Sequence, residues 1–163
     1  MKLIITNLLV LLSLGAYTQT GITPEDLKII IGNWEGSITY LDYQTNRPFT
    51  MPANLIVNQG KDKNSLTLSH IYPNEPKANN SEKIKISRNG SLLNKNLVTS
   101  RKKLKNESIQ IQTMHQGKDD DKTARIRYTY ILGNALFLIR KEVQFNQTDD
   151  WIKRSEYSYT KKK

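Results

Sequence analysis

The chain has 163 residues, with 25 Lys and Arg against 15 Asp and Glu, and it contains no cysteine. This length fits one domain of ordinary size, which can bury a hydrophobic core without disulfides or a structural metal. The absence of Cys excludes thiolate zinc sites, iron–sulfur clusters, cysteine nucleophiles and a lipid anchor on an N-terminal Cys.

Residues 1–18 have the pattern of a secretory signal peptide. Lys2 supplies a positive charge, and Leu3 to Leu14 is almost wholly apolar. That stretch is too short to span a bilayer, which needs about 20 apolar residues. The small residues Ala16 and Thr18 suit a cleavage site. We therefore expect an exported protein, periplasmic or extracellular; the alternative is a buried N-terminal strand or helix.

The sequence Thr23-Pro24-Glu25-Asp26 predicts the start of a short helix. Thr23 is a suitable N-cap, Pro suits the first helical position, and Asp26 occupies the third position of a capping box. The helix is expected to continue through Leu27 to Ile31 and to end at Gly32.

From residue 33 onward the apolar residues alternate with polar ones, which is typical of strands. The predicted strands are Asn33–Tyr43, Thr50–Asn58, Ser65–Tyr72, Glu82–Arg88, Ser91–Arg101, Ser108–His115, Thr123–Leu132, Ala135–Phe145 and Trp151–Tyr159. Turns of hairpin length, such as Asn89-Gly90 and the charged segment Gly117–Lys122, connect most of them. We predict an all-β fold over residues 19–163: an antiparallel up-and-down β-barrel of eight to ten strands with a short N-terminal helix. A two-sheet sandwich is the alternative.

Loop length predicts the register of the last three strands. A two-residue loop at Gly133-Asn134 pairs Tyr130 with Phe137, and a five-residue loop at Asn146–Asp150 follows the next strand. On the outer face this second register pairs two oppositely charged couples, Arg140 with Glu156 and Glu142 with Arg154.

The same registers place aromatic side chains and two lysines on the inner face: Tyr128, Tyr130, Trp151, Tyr157, Lys141 and Lys153. A lysine inside a narrow apolar barrel is costly unless an anion meets it or its stem reaches water. We expect Lys141 to receive the anionic head group of a ligand; a bulge or a wet lumen is the alternative.

The triplet Gly32-Asn33-Trp34 behind a short helix resembles the G-x-W signature of the calycins, the lipocalins, fatty-acid-binding proteins and their relatives. The resemblance implies a barrel that holds a small hydrophobic ligand, with Trp34 at the closed end beneath a cation, here Arg154 or Arg140. The last strand lacks the Arg-x-Tyr spacing with which fatty-acid-binding proteins clamp a carboxylate, so that site does not carry over.

Other chemistry finds little support in the sequence. His70 and His115 are both predicted to point inward, but no third metal ligand accompanies them, so we expect neither a metal nor another cofactor. No nucleophile, phosphate-loop or paired-carboxylate motif is present, and no catalytic residue is expected. Arg125 and Arg127 fall on the face opposite to the tyrosines, which argues against a nucleic-acid stacking platform.

The sequence and the calycin resemblance therefore predict an exported, non-catalytic, lipocalin-like protein that binds a small hydrophobic or amphiphilic molecule in the barrel lumen. The position of Lys141 favours an anionic amphiphile. The predicted ligand-binding residues are Trp34, Tyr128, Tyr130, Lys141 and Tyr157. The alternative is a cell-envelope interaction module with a packed barrel, which would use its basic outer face or the loop Pro73–Ser81 to bind a partner or a glycan. A lumen of about 300 Å³ or more would favour the first hypothesis.

Overall fold

A computed structural model describes residues 21–87, 89–145 and 149–163. The predicted signal peptide and residues 146–148 of the predicted loop Asn146–Asp150 lie outside the described residues. Helix α1 is Pro24–Lys28. The strands are β1 Gly32–Leu41, β2 Pro48–Pro52, β3 Asn54–Gln59, β4 Ser65–Ile71, β5 Asn80–Lys85, β6 Leu92–Leu93, β7 Asn96–Lys103, β8 Ile109–Asp119, β9 Lys122–Leu132, β10 Leu136–Phe145 and β11 Ile152–Lys161. No helix in these ranges is long and apolar enough to cross a membrane.

The strands form one antiparallel sheet that curls into a nearly closed barrel. Its spatial order is β5-β4-β3-β1-β11-β10-β9-β8-β7-β6, and β2 adds to β1. The ends of this order meet at the β5–β6 hairpin, where Ile86 pairs with Leu93 and the Ser87 N–H donates to the carbonyl of Leu92. The predicted antiparallel barrel with a short helix is therefore confirmed.

Eleven strands are present because two of the predicted strands are each divided in two. The predicted strand Thr50–Asn58 breaks at Ala53, so that β1 pairs with β2 along its second half and with β3 along its first. The strand predicted at Ser91–Arg101 breaks at a two-residue turn, Asn94-Lys95. Both turn residues have positive φ, 50° and 67°, as a tight type I′ hairpin requires.

The hairpin between β9 and β10 differs from the predicted register by two residues. Leu132 pairs with Phe137, and the Gly133 N–H donates to the carbonyl of Leu136. The central turn residues are therefore Asn134 and Ala135, one position later than predicted. Because side chains alternate with a period of two, the slip changes the partners but leaves every side chain on its predicted face.

A β-bulge between Lys141 and Glu142 divides the register of β10 and β11. Before the bulge the predicted pair Arg140–Glu156 is correct; beyond it Glu142 pairs with Lys153 instead of Arg154. The extra residue reverses the faces of the early part of β11. Arg154 therefore points inward, whereas the predicted inward residue Lys153 contacts Glu156, on the outside.

Trp151 was also predicted to face inward, opposite Phe145, and this prediction is wrong. Its ring stacks against the guanidinium of Arg127, 4.0 Å from the ring centroid. Arg127 in turn donates to Glu142 on the outer face of β10. The outward position of Trp151 follows from the same bulge, since the pairing beyond it is Val143 with Ile152.

One end of the barrel is plugged by α1 and a dense apolar core. Leu27 and Ile30 are buried, and the indole N–H of Trp34 donates to the carbonyl of Ile30 at 2.8 Å. The cation over the Trp34 ring is Lys161, at 4.5 Å from the centroid, and not Arg154 or Arg140 as the calycin pattern implied. Trp34 itself is fully buried at this end.

A buried ion pair fastens α1 to the barrel wall. Asp26 accepts the backbone N–H of Thr23, as the predicted capping box requires, and also two bonds from the guanidinium of Arg101 on β7, at 2.9 and 2.7 Å. Burial alone would raise the pKa of Asp26, but these bonds outweigh it and lower the pKa. The helix is therefore held by charge as well as by apolar contact.

Candidate functional site

The interior of the barrel contains a cavity of about 550 Å³ toward the end opposite to α1. Seven strands, β4, β5 and β7 to β11, contribute side chains to its lining. The lining residues are His70, Asn80, Glu82, Ile84, Asn94, Asn96, His115, Tyr128, Tyr130, Ile139, Lys141, Ser155 and Tyr157. The inward residues of period-two strands therefore enclose a space that is aromatic in part and polar in part.

Tyrosine and histidine rings form the wall of the cavity on β8 and β9. The His115 and Tyr128 rings stack with centroids 6.2 Å apart, and Tyr128 stacks on Tyr130 at the same distance. Stacked rings of this kind leave flat faces for contact with an apolar group. Burial raises the pKa of both tyrosines, so they remain neutral phenols.

Lys141 lines the cavity, as the sequence predicts for an inward residue, and an anion meets it there. The anion belongs to the protein: Lys141 Nζ donates to Asp119 Oδ1 at 2.7 Å. Burial favours the neutral amine, but the hydrogen bond and the charge of Asp119 outweigh it and raise the pKa of Lys141. The ammonium is therefore fully charged at neutral pH.

Asp119 is the centre of a buried cluster of charges. Its carboxylate is 1% exposed, and besides Lys141 it accepts from Arg154 Nε at 2.7 Å and from the Tyr43 hydroxyl at 2.9 Å. Burial would raise the pKa of Asp119, but Lys141, Tyr43 and Arg154 hold it below its usual range. Two cations share one carboxylate, so the cluster carries a net charge of about +1.

The sequence contains a signal that Asp119 faces inward, but a predicted turn over the same residues obscures it. The predicted turn Gly117–Lys122 included it, whereas β8 and β9 in fact continue to Asp119 and Lys122. The turn is only Asp120-Asp121, both with positive φ. Continuing the inward alternation from Thr113 through His115 would have placed the carboxylate inside the barrel.

His115 offers an unused polar atom at the cavity. Its Nδ1 is buried and has no hydrogen-bond partner within the described ranges. Burial, with a smaller contribution from the charge of Lys141, lowers the pKa of the imidazole. The ring is therefore neutral at neutral pH, and one of its nitrogens can accept a hydrogen bond from a ligand or a water molecule.

His70 belongs to a second polar network, part of which lines the cavity. Its Nε2 lies 3.2 Å from the carboxylate of Glu82, and its Nδ1 lies 3.3 Å from the Tyr159 hydroxyl. The hydroxyls of Tyr72 and Tyr157 bond to each other at 2.9 Å. Both histidines face inward as predicted, but within the described residues no group of three His, Asp or Glu side chains could hold a metal ion.

Four of the five predicted ligand-binding residues surround this one cavity: Tyr128, Tyr130, Lys141 and Tyr157. Trp34 does not line it. Phe137 and Tyr159 lie between them: Trp34 contacts Phe137 edge to face, and the Phe137 and Tyr159 rings are 5.9 Å apart. Whether the four residues bind a ligand stays a prediction.

Comparison with known proteins gives a likeness of shape without a family name. No family model matches the chain. No curated protein matches it. Among solved structures, that of Rv2717c from M. tuberculosis superimposes with a TM-score of 0.49 at 10% identity, over 85% of this chain and 96% of that one.

A second solved structure is a protein of unknown function from the DUF3598 family, NPUN_R4044 of Nostoc punctiforme PCC 73102. Its TM-score is 0.40 at 11% identity, over 87% of this chain and 50% of that chain. This chain therefore spans about half of the length of that protein. The calycin resemblance remains an interpretation of the sequence.

Proposed function

We propose that this barrel binds a small amphiphilic molecule in its lumen and carries out no catalysis. The apolar part of the molecule lies against Tyr128, Tyr130 and Tyr157, and an anionic head group lies at Lys141. We also propose that the protein is exported, on the strength of the signal-peptide pattern in residues 1–18.

The observation that carries the proposal is a cavity of about 550 Å³ with aromatic rings and one cation on its lining. Ligand sites typically enclose roughly 300–1,000 Å³ and combine apolar walls with a few oriented polar groups. A barrel filled by its own side chains, as the interaction-module alternative requires, does not have this interior. The lumen therefore favours ligand binding.

Charge supports an anionic head group. The cluster of Lys141, Arg154 and Asp119 has one more positive than negative charge, and a buried excess charge is stabilised by a counter-ion. The acid of the cavity lining, Glu82, lies beside His70 and is 54% exposed. An ammonium group has three donors, so the bond from Lys141 to Asp119 leaves two for a ligand. The polar atom of His115 lies beside the same part of the lining.

A second hollow, of about 580 Å³, at the plugged end is a poorer candidate. It lies between Ile29 of the helical segment and the turns that contain Asn106 and Asn134, and its described lining includes no aromatic ring. Of its two lining cations, Arg101 is held by Asp26, and Lys103 lies 3.4 Å from the carboxylate of Glu107. This hollow therefore lacks the combination of ring faces and an available cation.

Binding of matched fluorescent probes tests the proposal. Anilinonaphthalene sulfonate carries an anion on an aromatic skeleton, and N-phenyl-1-naphthylamine has the same skeleton without the charge. We expect saturable binding of both by the wild-type protein. Lys141→Met should weaken the sulfonate about tenfold or more and the neutral probe less than threefold, since one charged hydrogen bond contributes about 1.5–3 kcal/mol.

Two variants complete this experiment. Lys141→Arg keeps the charge and should retain most of the sulfonate affinity. Lys153→Met removes a lysine that the sequence predicts to face inward but that lies on the outer face of the barrel. This variant should change the affinity for neither probe. The absence of saturable binding of both probes to a folded wild-type protein would reject the proposed function.

A further inference from the structure

The barrel wall has a notch at the end where the cavity lies. Strand β6 has only two residues, and the turn Asn94-Lys95 brings the chain straight into β7. Within the described ranges, the pairing of β7 with β8 ends at Leu97–Met114, so residues 115–119 of β8 lack a partner on that side. On the other side, residues 80–84 of β5 pair only with β4.

This notch is about five residues deep, or roughly 16 Å at 3.3 Å per residue. Its sides are the free edges of β5 and β8, and its lower border is the β6–β7 turn. The cavity extends to all three of these borders, through Asn80 and Glu82 on β5, Asn94 and Asn96 at the turn, and His115 on β8. The lumen is therefore open sideways, between β5 and β8.

The side chains that line the cavity are exposed at the notch and buried farther inside, as expected for an entrance. At the notch the Glu82 side chain is 54% exposed, while Tyr130 and Ile84 deeper in the lumen are 5% and 1% exposed. The wall has a second gap beside β7, because the two residues of β6 pair only with the start of that strand. There the Ile22 N–H donates to the Gly90 carbonyl, and α1 covers the opening. Of these two gaps, the one at the cavity is the gap that α1 does not cover.

A basic groove of about 520 Å³ lies outside the wall, directly against the notch. Alternation along β5 sends Lys83 and Lys85 outward, while Glu82 and Ile84 face the lumen. Lys95 of the turn and the apolar residues Ile86 and Leu92 also line the groove. Asn94 lines both the groove and the cavity, so the two spaces share a border.

The groove has a net positive charge, because three lysines line it. One acid pairs with it, since Asp62 lies 3.7 Å from Lys85. Lys85 remains 66% exposed in spite of this contact. Three lysines around an apolar floor present to solvent the same combination, a cation beside a hydrophobic surface, that the cavity presents inside.

We infer that the notch between β5 and β8 is the entrance of the cavity, and that Lys83, Lys85 and Lys95 first attract an anionic amphiphile there. The inference rests on the proposed function and adds the route by which the ligand enters. Lysines within a Debye length of about 8 Å act on an approaching anion, and such steering raises association rates by 10- to 1,000-fold in favourable cases.

Stopped-flow association of anilinonaphthalene sulfonate tests the inference. The triple variant Lys83→Gln, Lys85→Gln and Lys95→Gln should slow association about fivefold or more at low ionic strength, with little effect at 1 M salt. The control variant carries Lys102→Gln, Lys103→Gln and Lys105→Gln, which remove three exposed lysines at the plugged end. It therefore changes the net charge by the same amount. It should alter the rate less than twofold.

The neutral probe separates steering from damage to the cavity. N-phenyl-1-naphthylamine should associate with both triple variants at the wild-type rate. Equal slowing of the sulfonate by the two triple variants, or no slowing by either, would overturn the entrance while leaving the proposed function intact. Failure of the wild-type protein to bind either probe would overturn both.

Discussion

The two ends of the barrel are built from the same alternating strands but differ in what covers them. At one end α1 and Trp34 fill the interior, and the Asp26–Arg101 pair fastens the helix to β7. At the other end the wall is notched, and the interior is a cavity. The first arrangement is a hydrophobic core, and the second leaves polar and aromatic groups free for another molecule.

A buried aspartate at each end shows what this difference means. Asp26 receives both of its charged bonds from one guanidinium and so completes a neutral pair. Asp119 receives two separate cations, Lys141 and Arg154, and leaves an excess positive charge beside the cavity. The carboxylate at the plugged end is therefore matched by one cation, whereas the carboxylate at the notched end is shared by two and leaves capacity for an anion.

The largest expected effect tests the plugged end. Trp34→Ala should lower the free energy of unfolding by about 3–5 kcal/mol, because it removes a fully buried ring and its hydrogen bond to Ile30. Urea denaturation followed by circular dichroism measures it. Asn96→Ala at the notch should change stability by less than about 0.5 kcal/mol. Similar costs for the two variants would contradict the contrast between the ends.

Asp119→Asn should have the next largest effect, a loss of about 3 kcal/mol at neutral pH. The variant leaves Lys141 and Arg154 partly buried without a carboxylate, and breaking such a pair typically costs 3–5 kcal/mol. The same variant should bind anilinonaphthalene sulfonate more tightly, since the ligand no longer competes with Asp119. The exposed turn residue Asp121 provides a control: Asp121→Asn should be close to neutral in both measurements.

Acid should weaken both ends through these two carboxylates, with a smaller effect. Each has a pKa below its unfolded value near 3.9, so its contribution is complete above that value and is lost as the pH falls through the folded pKa. The free energy of unfolding should therefore fall below about pH 4. Asp26→Asn should flatten this dependence without changing probe affinity; an unchanged slope would argue against the ion pair at the plugged end.

The smallest effect is expected outside the barrel. Arg140→Gln breaks the ion pair with Glu156, which the sequence predicts and the structure contains. This pair lies on the outer face, between β10 and β11. A partly exposed pair of this kind contributes about 0–1 kcal/mol and is screened by salt. Thermal unfolding at low and high ionic strength measures it. A loss above about 2 kcal/mol would mean that this pair is part of the core framework.

Much of the site followed from the sequence because period two alone decides the face of a strand. Tyr128, Tyr130 and Lys141 were placed inward correctly even though the predicted partners across the β9–β10 hairpin were wrong by two residues. An even shift preserves the face, so the prediction survived the error. Arg154 and Trp151 were placed wrongly because a bulge inserts one residue, and an odd shift reverses the face.

The sequence alone was enough to predict the strands, the capped helix and the inward tyrosines. Alternation, capping and turn preferences act between residues that are close in the chain. The tertiary structure alone decided that Asp119 meets Lys141 and that the wall opens between β5 and β8. Both depend on where distant strands stop pairing, and that is fixed by the packing of the whole barrel around its core. Residues far apart in sequence thus acquired a shared chemistry only when the sheet closed.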